Sequence, residues 1–410
     1  MDYNTALNYI FSLDRFGGVA GLERITPVLE YFGNPQNKVK SLHIAGTNGK
    51  GSVAAMLNSC LQAAGYKVGL YMSPFIIEFS ERIQINSQYI SKEILADLVE
   101  MVKDTCEKLD ITLGQFEFIT VVAFLYFEKE NCDYMVLETG LGGRCDATNT
   151  VVKPEVSIIT SISLDHTAIL GDTISKIAKE KAGIIKSSVP VVTEAQENDA
   201  ILVIQEVCKQ QNANLTVTDL PTNIYIGIDS TNFNYKGLDY TISLIGKHQA
   251  YNATLCIEAL KQLGVDNKYI CKGLANTVHP ARLEIISKKP LVVLDGAHNE
   301  GGAKALAEYL EAINFKGTAI VAAMQDKDAK TVAKEIAPYL NNTIAVKLHD
   351  NPRALPPQKL AEYFSSFCNV ELAENYREAL ALAEGSPLLV CGSLYLAADI
   401  RPMLLKKYKI

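Results

Sequence analysis

Ser41-Leu-His-Ile-Ala45, Gly46-Thr-Asn-Gly-Lys-Gly-Ser52 and Ser52 to Ala64 read as a strand, a glycine-rich turn and a helix. In the third stretch Val53, Met56, Leu57, Cys60, Leu61 and Ala64 recur at helical spacing and make one apolar face. Gly65 stands where a helix-ending glycine is expected, and Val68–Met72 reads as the next strand. A glycine-rich turn between a strand and a helix is the setting of a phosphate-binding loop. Backbone amides at a helix start point outward and carry the positive end of the helix dipole, so they suit phosphate oxygens. Glycines let the backbone approach, Lys50 adds a charge, and a hydroxyl helps order the phosphates or a metal. The loop is shorter than the common GxxxxGK[ST] pattern, and Gly51 separates Lys50 from Ser52.

The same alternation continues outward and predicts α/β layers with parallel strands. Strands are expected at Tyr134–Glu138, Val156–Ile162 and Val189–Thr193, with helices at Phe116–Lys129 and Thr173–Ile185. Residues 214–245 alternate and carry turn signals at Asp229-Ser230 and Lys236-Gly237, which predicts a small antiparallel excursion before a helix at Asn252–Leu263. Ile286-Ser-Lys-Lys-Pro290 reads as a polar linker. Beyond it come strands at Leu291–Leu294, Thr318–Ala323, Thr343–Leu348 and Leu388–Cys391, and helices at Gly301–Ile313, Asp328–Leu340 and the C-terminus. The expected division is therefore residues 1–287 and 288–410.

Apolar residues are 48% of the 410 and charged ones 21%, which excludes a disordered chain. Thirty-nine Lys and Arg against 46 Asp and Glu leave −7, so a general nucleic-acid binder is not expected. No run reaches the length of about 20 apolar residues that spans a bilayer, and Met1–Leu13 lacks a basic signal-peptide start. Nine scattered cysteines, none at CxxC spacing, fit reduced thiols in the cytoplasm better than a disulfide framework or zinc site.

A nucleoside triphosphate brings magnesium, which prefers a few hard oxygen ligands. In open parallel sheets ligands gather at the carboxyl ends of strands. Ser73, Glu138 and His166 are expected at such ends. Each has a plainer reading, as a turn residue, a buried ion-pair partner and a capped or core histidine. Lys181, in a lysine-rich helix, reads as a solvated face, and a charged lysine cannot ligate a cation. His43 reads as a satisfied buried side chain. Asp295-Gly-Ala-His-Asn-Glu-Gly-Gly302 follows an apolar strand and is either a second ligand rim or a plain turn.

These motifs occur in one order over nearly the whole chain, together with Ser73-Pro-Phe, Glu81-Arg-Ile, Phe116-Glu-Phe-Ile-Thr120, Leu137-Glu-Thr-Gly-Leu-Gly-Gly-Arg-Cys-Asp-Ala-Thr-Asn149, Gly246-Lys-His-Gln249, Pro280-Ala-Arg282, Asp326-Lys-Asp328 and Gly392-Ser-Leu-Tyr395. The set resembles the folylpolyglutamate synthase/dihydrofolate synthase family, relatives of the Mur ligases. The resemblance implies an N-terminal P-loop Mur-ligase-like ATPase domain with a parallel sheet, and a smaller C-terminal Rossmann-like α/β domain. It implies a magnesium-dependent ligase that joins L-glutamate to a reduced folate through an acyl phosphate, with ATP as co-substrate and K+ as a further candidate cofactor.

By the same resemblance, Thr47, Asn48, Gly49, Lys50, Gly51, Ser52, Asn252, Arg282 and Asp295 contact ATP. Lys50, Lys181 and His166 are expected to be catalytic. Ser73, Glu138, His166 and a carbamylated Lys181 would hold the metal, carbamylation having turned the lysine into an anion. Phe75, Arg82, His298 and Ser393 would face the folate or glutamate. A cytoplasmic monomer without nucleic-acid or membrane partners is expected. Two positions depart from the common pattern, Phe75 in place of His and Ala281 in place of Gly. The Ser-Pro-Phe form resembles the folylpolyglutamate synthase branch, which weighs against dihydropteroate as a second acceptor and leaves it open. A Mur-type ligase acting on a sugar-linked peptide, or an ATP-driven switch, is a more distant alternative.

Overall fold

The computed structural model describes residues 1–14, 21–76, 78–349 and 351–408. Contacts gather Met1–Pro221, Tyr235–Leu238 and Tyr251–Thr277 into one unit, and Thr222–Asn234, Asp239–Ala250 and Val278–Ile410 into another.

The first unit is built on an eight-stranded sheet. Its strands are β1 (Lys40–Ala45), β2 (Val68–Tyr71), β3 (Ile83–Ile85), β4 (Gln88–Tyr89), β5 (Tyr134–Glu138), β6 (Val156–Ile159), β7 (Val191–Thr193) and β8 (Leu215–Val217), in the order β4-β3-β2-β5-β1-β6-β7-β8. Six run parallel, and β3 and β4 form an antiparallel hairpin at one edge. The central parallel strands are buried, which is why they read as unbroken apolar runs. The helix Gln115–Lys129 is apolar all round and is likewise buried, with Phe118, Phe124 and Phe127 in the core.

The helix after the glycine turn spans Lys50–Ala63, so it starts two residues before the expected Ser52 and takes Lys50 into its first turn. It packs on the helix Asn267–Ala275 with almost no space between backbones. A Cβ on Gly273 would lie 2.3 Å from the Cα of Cys60. Ser59 Oγ donates to the Gly273 carbonyl at 2.8 Å across the same contact.

A three-stranded sheet, β9 (Thr222–Ile226), β10 (Thr231–Tyr235) and β11 (Leu238–Ile242), comes next. The turn between β9 and β10 is held to the rest of the second unit. Tyr309 donates to the Ile228 carbonyl, and Lys288 pairs with Asp229. The second unit's larger sheet comprises β12 (Glu284–Lys288), β13 (Leu291–Leu294), β14 (Gly317–Val321), β15 (Leu340–Val346), β16 (Asn369–Ala373) and β17 (Leu388–Cys391). Their order is β12-β13-β17-β14-β15-β16, parallel but for β12.

Three local expectations change. The stretch read as a polar linker is the end of β12 and its turn into β13, because Ile285 and Ser287 pair back on that strand. Leu215–Val217 joins the parallel sheet beside β7 instead of the antiparallel excursion. The strand Asn369–Ala373 was not expected; it is an edge strand whose outer positions are polar or exposed.

Gly273→Ala should destabilise the protein by about 1–3 kcal/mol, the usual cost of overpacking a tight contact. Thermal unfolding checks this, and an unchanged midpoint would show that the two helices part freely.

Candidate active site

The glycine loop leaves β1 at the middle of the sheet. Gly46 passes so close to the end of β6 that a Cβ there would lie 1.7 Å from Thr160 Oγ1. Gly49 caps the helix with φ 89°, a left-handed conformation that favours glycine, and offers no side chain to cap the first turn. The Asn252 side chain lies over Gly49, its Oδ1 2.3 Å from where a Cβ would stand. Asn252 is thereby brought to the loop.

Two lysines converge on one carbonyl beneath this loop. Lys50 Nζ donates to the Gly46 oxygen at 3.1 Å and to the Thr47 oxygen at 3.2 Å. Lys181 Nζ donates to the same Gly46 oxygen at 2.6 Å. Lys181 is only 4% exposed, so its reading as a solvated face is corrected. It shares its helix face with Ile177 and Ala178, and that face packs inward. Burial, and then the charge of Lys50, lower its ammonium to about 7.

Glu138 ends β5 and is buried. Its Oε2 accepts the Ser73 amide at 3.0 Å, so these two oxygen-bearing residues are brought together. His166 is not at a strand end. β6 stops at Ile159, and His166 sits beyond it in an exposed turn at φ 48°, its Nε2 3.8 Å from Asp165. Among the described residues no three His, Cys, Asp or Glu side chains group as a ready metal site.

The turn after Glu138 hangs on Asp146. Its carboxylate accepts the amides of Gly140 (2.8 Å), Leu141 (2.9 Å) and Thr148 (3.0 Å), and the Thr148 hydroxyl (2.5 Å). Burial pushes this carboxyl up, and those four bonds pull it back. Thr148 has given its proton to Asp146, so it accepts from His43 Nε2 at 2.8 Å. His43 is thus a neutral Nε2–H tautomer whose buried Nδ1 has no partner, half-satisfied where full satisfaction was expected.

Beside Ser73, Arg82 lies over the rings of Phe75 (5.4 Å) and Phe79 (5.5 Å). Phe116 closes on Gly140, where a Cβ would be 2.6 Å from its ring, and lies 5.7 Å from Tyr71. Phe79 and Phe116 were not singled out as site residues from the sequence. An aromatic residue beside each strand-end motif was the available signal.

In the second unit Asp295 comes directly after β13 and spends both oxygens on backbone, accepting Leu283 N and Ala297 N at 2.7 Å each. His298 Nδ1 donates to the Gly296 carbonyl at 2.8 Å, which directs Nε2 elsewhere as the acceptor. Ser393 Oγ accepts Tyr395 N at the start of the last helix. Ala281 and Leu283, on either side of Arg282, both take left-handed φ, 53° and 47°. His298, Lys327 and Gly392 line a small pocket of about 10 Å³ at the ends of β14 and β17, otherwise walled by apolar side chains. Lys327 was missed as a site residue although its Asp-Lys-Asp motif was visible.

The two α/β units, the first with a lysine-bearing glycine loop at the middle of a mainly parallel sheet, are matched by the two domains of the Mur ligase class. The Mur ligase middle domain matches residues 44–260 and the Mur ligase glutamate ligase domain residues 281–394. The dihydrofolate synthase/folylpolyglutamate synthase of Bacillus subtilis is 38% identical over 98% of this chain and 99% of its own. The folylpolyglutamate synthase of Lacticaseibacillus casei is 35% identical over 99% of each. The structure of Mycobacterium tuberculosis folylpolyglutamate synthase complexed with ADP and AMPPCP aligns with TM-score 0.87 at 28% identity, covering 98% of this chain and 99% of that one. The chain belongs to the folylpolyglutamate synthase/dihydrofolate synthase family. No helix among the described residues is long and apolar enough to cross a membrane.

His43 makes a pH prediction. Burial, and then the Lys186 charge, hold its imidazole down at about 3, against an ordinary 6.5 in the unfolded chain. Its contribution is full above 6.5 and drains as pH falls from there toward 3. Stability of His43→Gln should therefore fall less steeply on acidification, by up to ~1.4 kcal/mol per pH unit. Urea unfolding at pH 6.5 and 5 measures the difference; equal slopes would refute the neutral assignment.

Proposed function

We propose that this chain is a folylpolyglutamate synthase, an ATP-dependent acid–amino-acid ligase that adds L-glutamate to the γ-carboxylate of a reduced folate. The observation that carries the reading is the meeting of Lys50 and Lys181 on the Gly46 carbonyl below an uncapped helix start. Lys50 adds its positive charge to the outward-facing amides at that point, and a triphosphate would relieve it. The Mycobacterium tuberculosis relative's complexes with ADP and AMPPCP support the same choice of ligand.

A carboxylate is a poor electrophile because oxide is a poor leaving group. Transfer of the γ-phosphoryl group of ATP to the folate carboxylate makes an acyl phosphate, whose leaving group is phosphate. The glutamate amine then attacks the acyl carbon, and collapse of the adduct releases phosphate and leaves the amide. We assign Lys50 and the amides of 49–52 to the phosphoryl oxygens, with Asn48 and Asn252 around the nucleotide. Much of the rate then comes from positioning the reactants and excluding water.

Glu138 and Ser73, joined through the Ser73 amide, both carry hard oxygens and fit a magnesium ion, with His166 as a further ligand. Bound there, the ion would supply charge neutralisation on phosphate. Lys181 fits the carbamate reading, since its lowered ammonium leaves much of the amine neutral near pH 7 and able to add to CO2. We assign Phe75, Phe79, Arg82 and Phe116 to the flat ring system of the folate. We assign His298 and Ser393 of the second unit to the glutamate, and Arg282 and Asp295 to ATP. The dual name of the Bacillus subtilis relative favours dihydropteroate as a second acceptor, against the Phe75 departure. Work inside the cytoplasm as a monomer completes the reading.

ADP release should require folate and glutamate together, and glutamate incorporation should be seen with tetrahydrofolate, tested beside dihydropteroate. ADP formation without an acceptor would favour a switch; none with both present would end the ligase reading. Lys50→Ala should lose at least about a hundredfold in turnover with an unchanged unfolding midpoint, because the side chain is a half-buried surface charge and no part of the core. Retention of most activity would remove the phosphate-loop assignment.

A further inference from the structure

The segment after β6 carries His166, yet it has outrun its neighbouring strands. Several of its amides find partners all the same, among them the side chains of Gln196 and Thr47. Thr160 N still bonds the Ala45 carbonyl at 2.9 Å, and Thr47 N bonds the Ser161 carbonyl at 2.7 Å. Ile162 N then donates to Gln196 Oε1 at 3.0 Å, from the β7 side. Ser163 N donates to Thr47 Oγ1 at 3.1 Å, from the glycine-loop side. The same Thr47 hydroxyl donates to the Ser163 carbonyl at 3.1 Å. Ser161 Oγ returns a bond to the Asn48 carbonyl at 3.3 Å.

Thr47 Oγ1 therefore does what a paired backbone residue does in a ladder, accepting one amide and donating to one carbonyl of the same residue. Its proton is committed to Ser163, and one of its lone pairs to the Ser163 amide. The side chain faces the 161–166 segment. A phosphate would meet the loop's amides and Lys50, and the Thr47 hydroxyl would reach it only by abandoning both bonds.

We propose that Thr47 is a positioning residue, fastening the glycine loop to the segment that presents His166, so that the two keep one relative placement. This rests on the ligase reading above, in which the loop takes the nucleotide and His166 serves the metal. It replaces the direct ATP contact expected for the Thr47 side chain. The bonds require a hydroxyl and no methyl, so Thr47→Ser should keep the function and Thr47→Val, of nearly equal size, should lose it.

The test uses the full-length wild type, Thr47→Val and Thr47→Ser with three readouts. In the nucleotide-free protein, amide hydrogen exchange at Ser163–Asp165 should be roughly fivefold or more faster in the valine variant and near wild type in the serine variant. ADP affinity in EDTA should stay within about twofold, since the hydroxyl is turned away from the phosphates. The magnesium concentration for half-maximal ligase rate should rise about fivefold or more in the valine variant alone. Unchanged exchange and an unchanged metal requirement would overturn the proposal. So would a loss of metal-free ADP affinity as large as the metal effect, which would make Thr47 a nucleotide contact. If wild type binds no ADP, the ligase reading fails, while the exchange comparison still decides whether Thr47 braces the segment.

Discussion

The Gly46 carbonyl receives two lysine side chains, and much of the first unit is arranged so that it does. Two ammonium groups sharing one oxygen repel each other, and one of them is almost wholly out of water. Such an arrangement persists only if the surrounding fold holds it. Parallel pairing of β1 with β5 and β6 fixes the loop's start. The helix carrying Lys181 presents its inner face beneath that point. Arg144 braces that helix, its amide bonded to the Glu180 carbonyl and its guanidinium to the Glu180 carboxylate. The repulsion is partly released by burial, which favours the neutral amine of Lys181, and the rest would be released by an anion. The same electrostatics thus set a protonation state and a ligand preference.

Strand ends pose a related problem. Parallel strands terminate with unpaired groups, and here buried and half-buried side chains complete them. Asp146 collects the amides after β5, Gln196 and Thr47 those after β6, and Asp295 those around β13. Carboxylates are suited to this because each oxygen accepts two bonds. They also cost desolvation, which is why both Asp146 and Asp295 have carboxyls pushed upward. With one backbone bond already on each oxygen, Asp295 has less acceptor capacity left for a ligand than an exposed carboxylate at that position would.

The legible part of the chain was whatever periodicity and turn chemistry decide locally. The strand–glycine–helix frame, β5, β13 and β17 lie where alternation and glycine placement put them, because each buries an apolar run between clear breaks. Lys181 was harder. Its neighbours in sequence are lysine and glutamate, which read as solvent-facing, yet Ile177 lies one turn away on the same face and that spacing signals burial. His166 was misplaced because β6 pairs only to Ile159, and residues 162 and 163 are held by side chains distant in sequence. Local pattern carries no information about such partners. The edge strand β16 escaped for the opposite reason, its outward face being as polar as a loop.

Ala281 shows how tertiary bonds offset a poor local choice. A left-handed φ at alanine costs about 1 kcal/mol that glycine avoids, and Leu283, with its bulkier side chain, repeats the conformation two residues on. Neither is free to relax. Ala281 N donates to Glu284 Oε2 at 3.0 Å, the Ala281 carbonyl accepts Gly296 N at 2.9 Å, and Leu283 N is held by Asp295. Glu284 is itself clasped by Arg401 through bonds of 2.7 to 2.9 Å. At about 1 kcal/mol net for each bond, this set outweighs two strained residues. The departure from glycine at 281 is therefore tolerated by a frame that bonds the backbone on both sides of Arg282, and the strain is stored at the two residues that flank it.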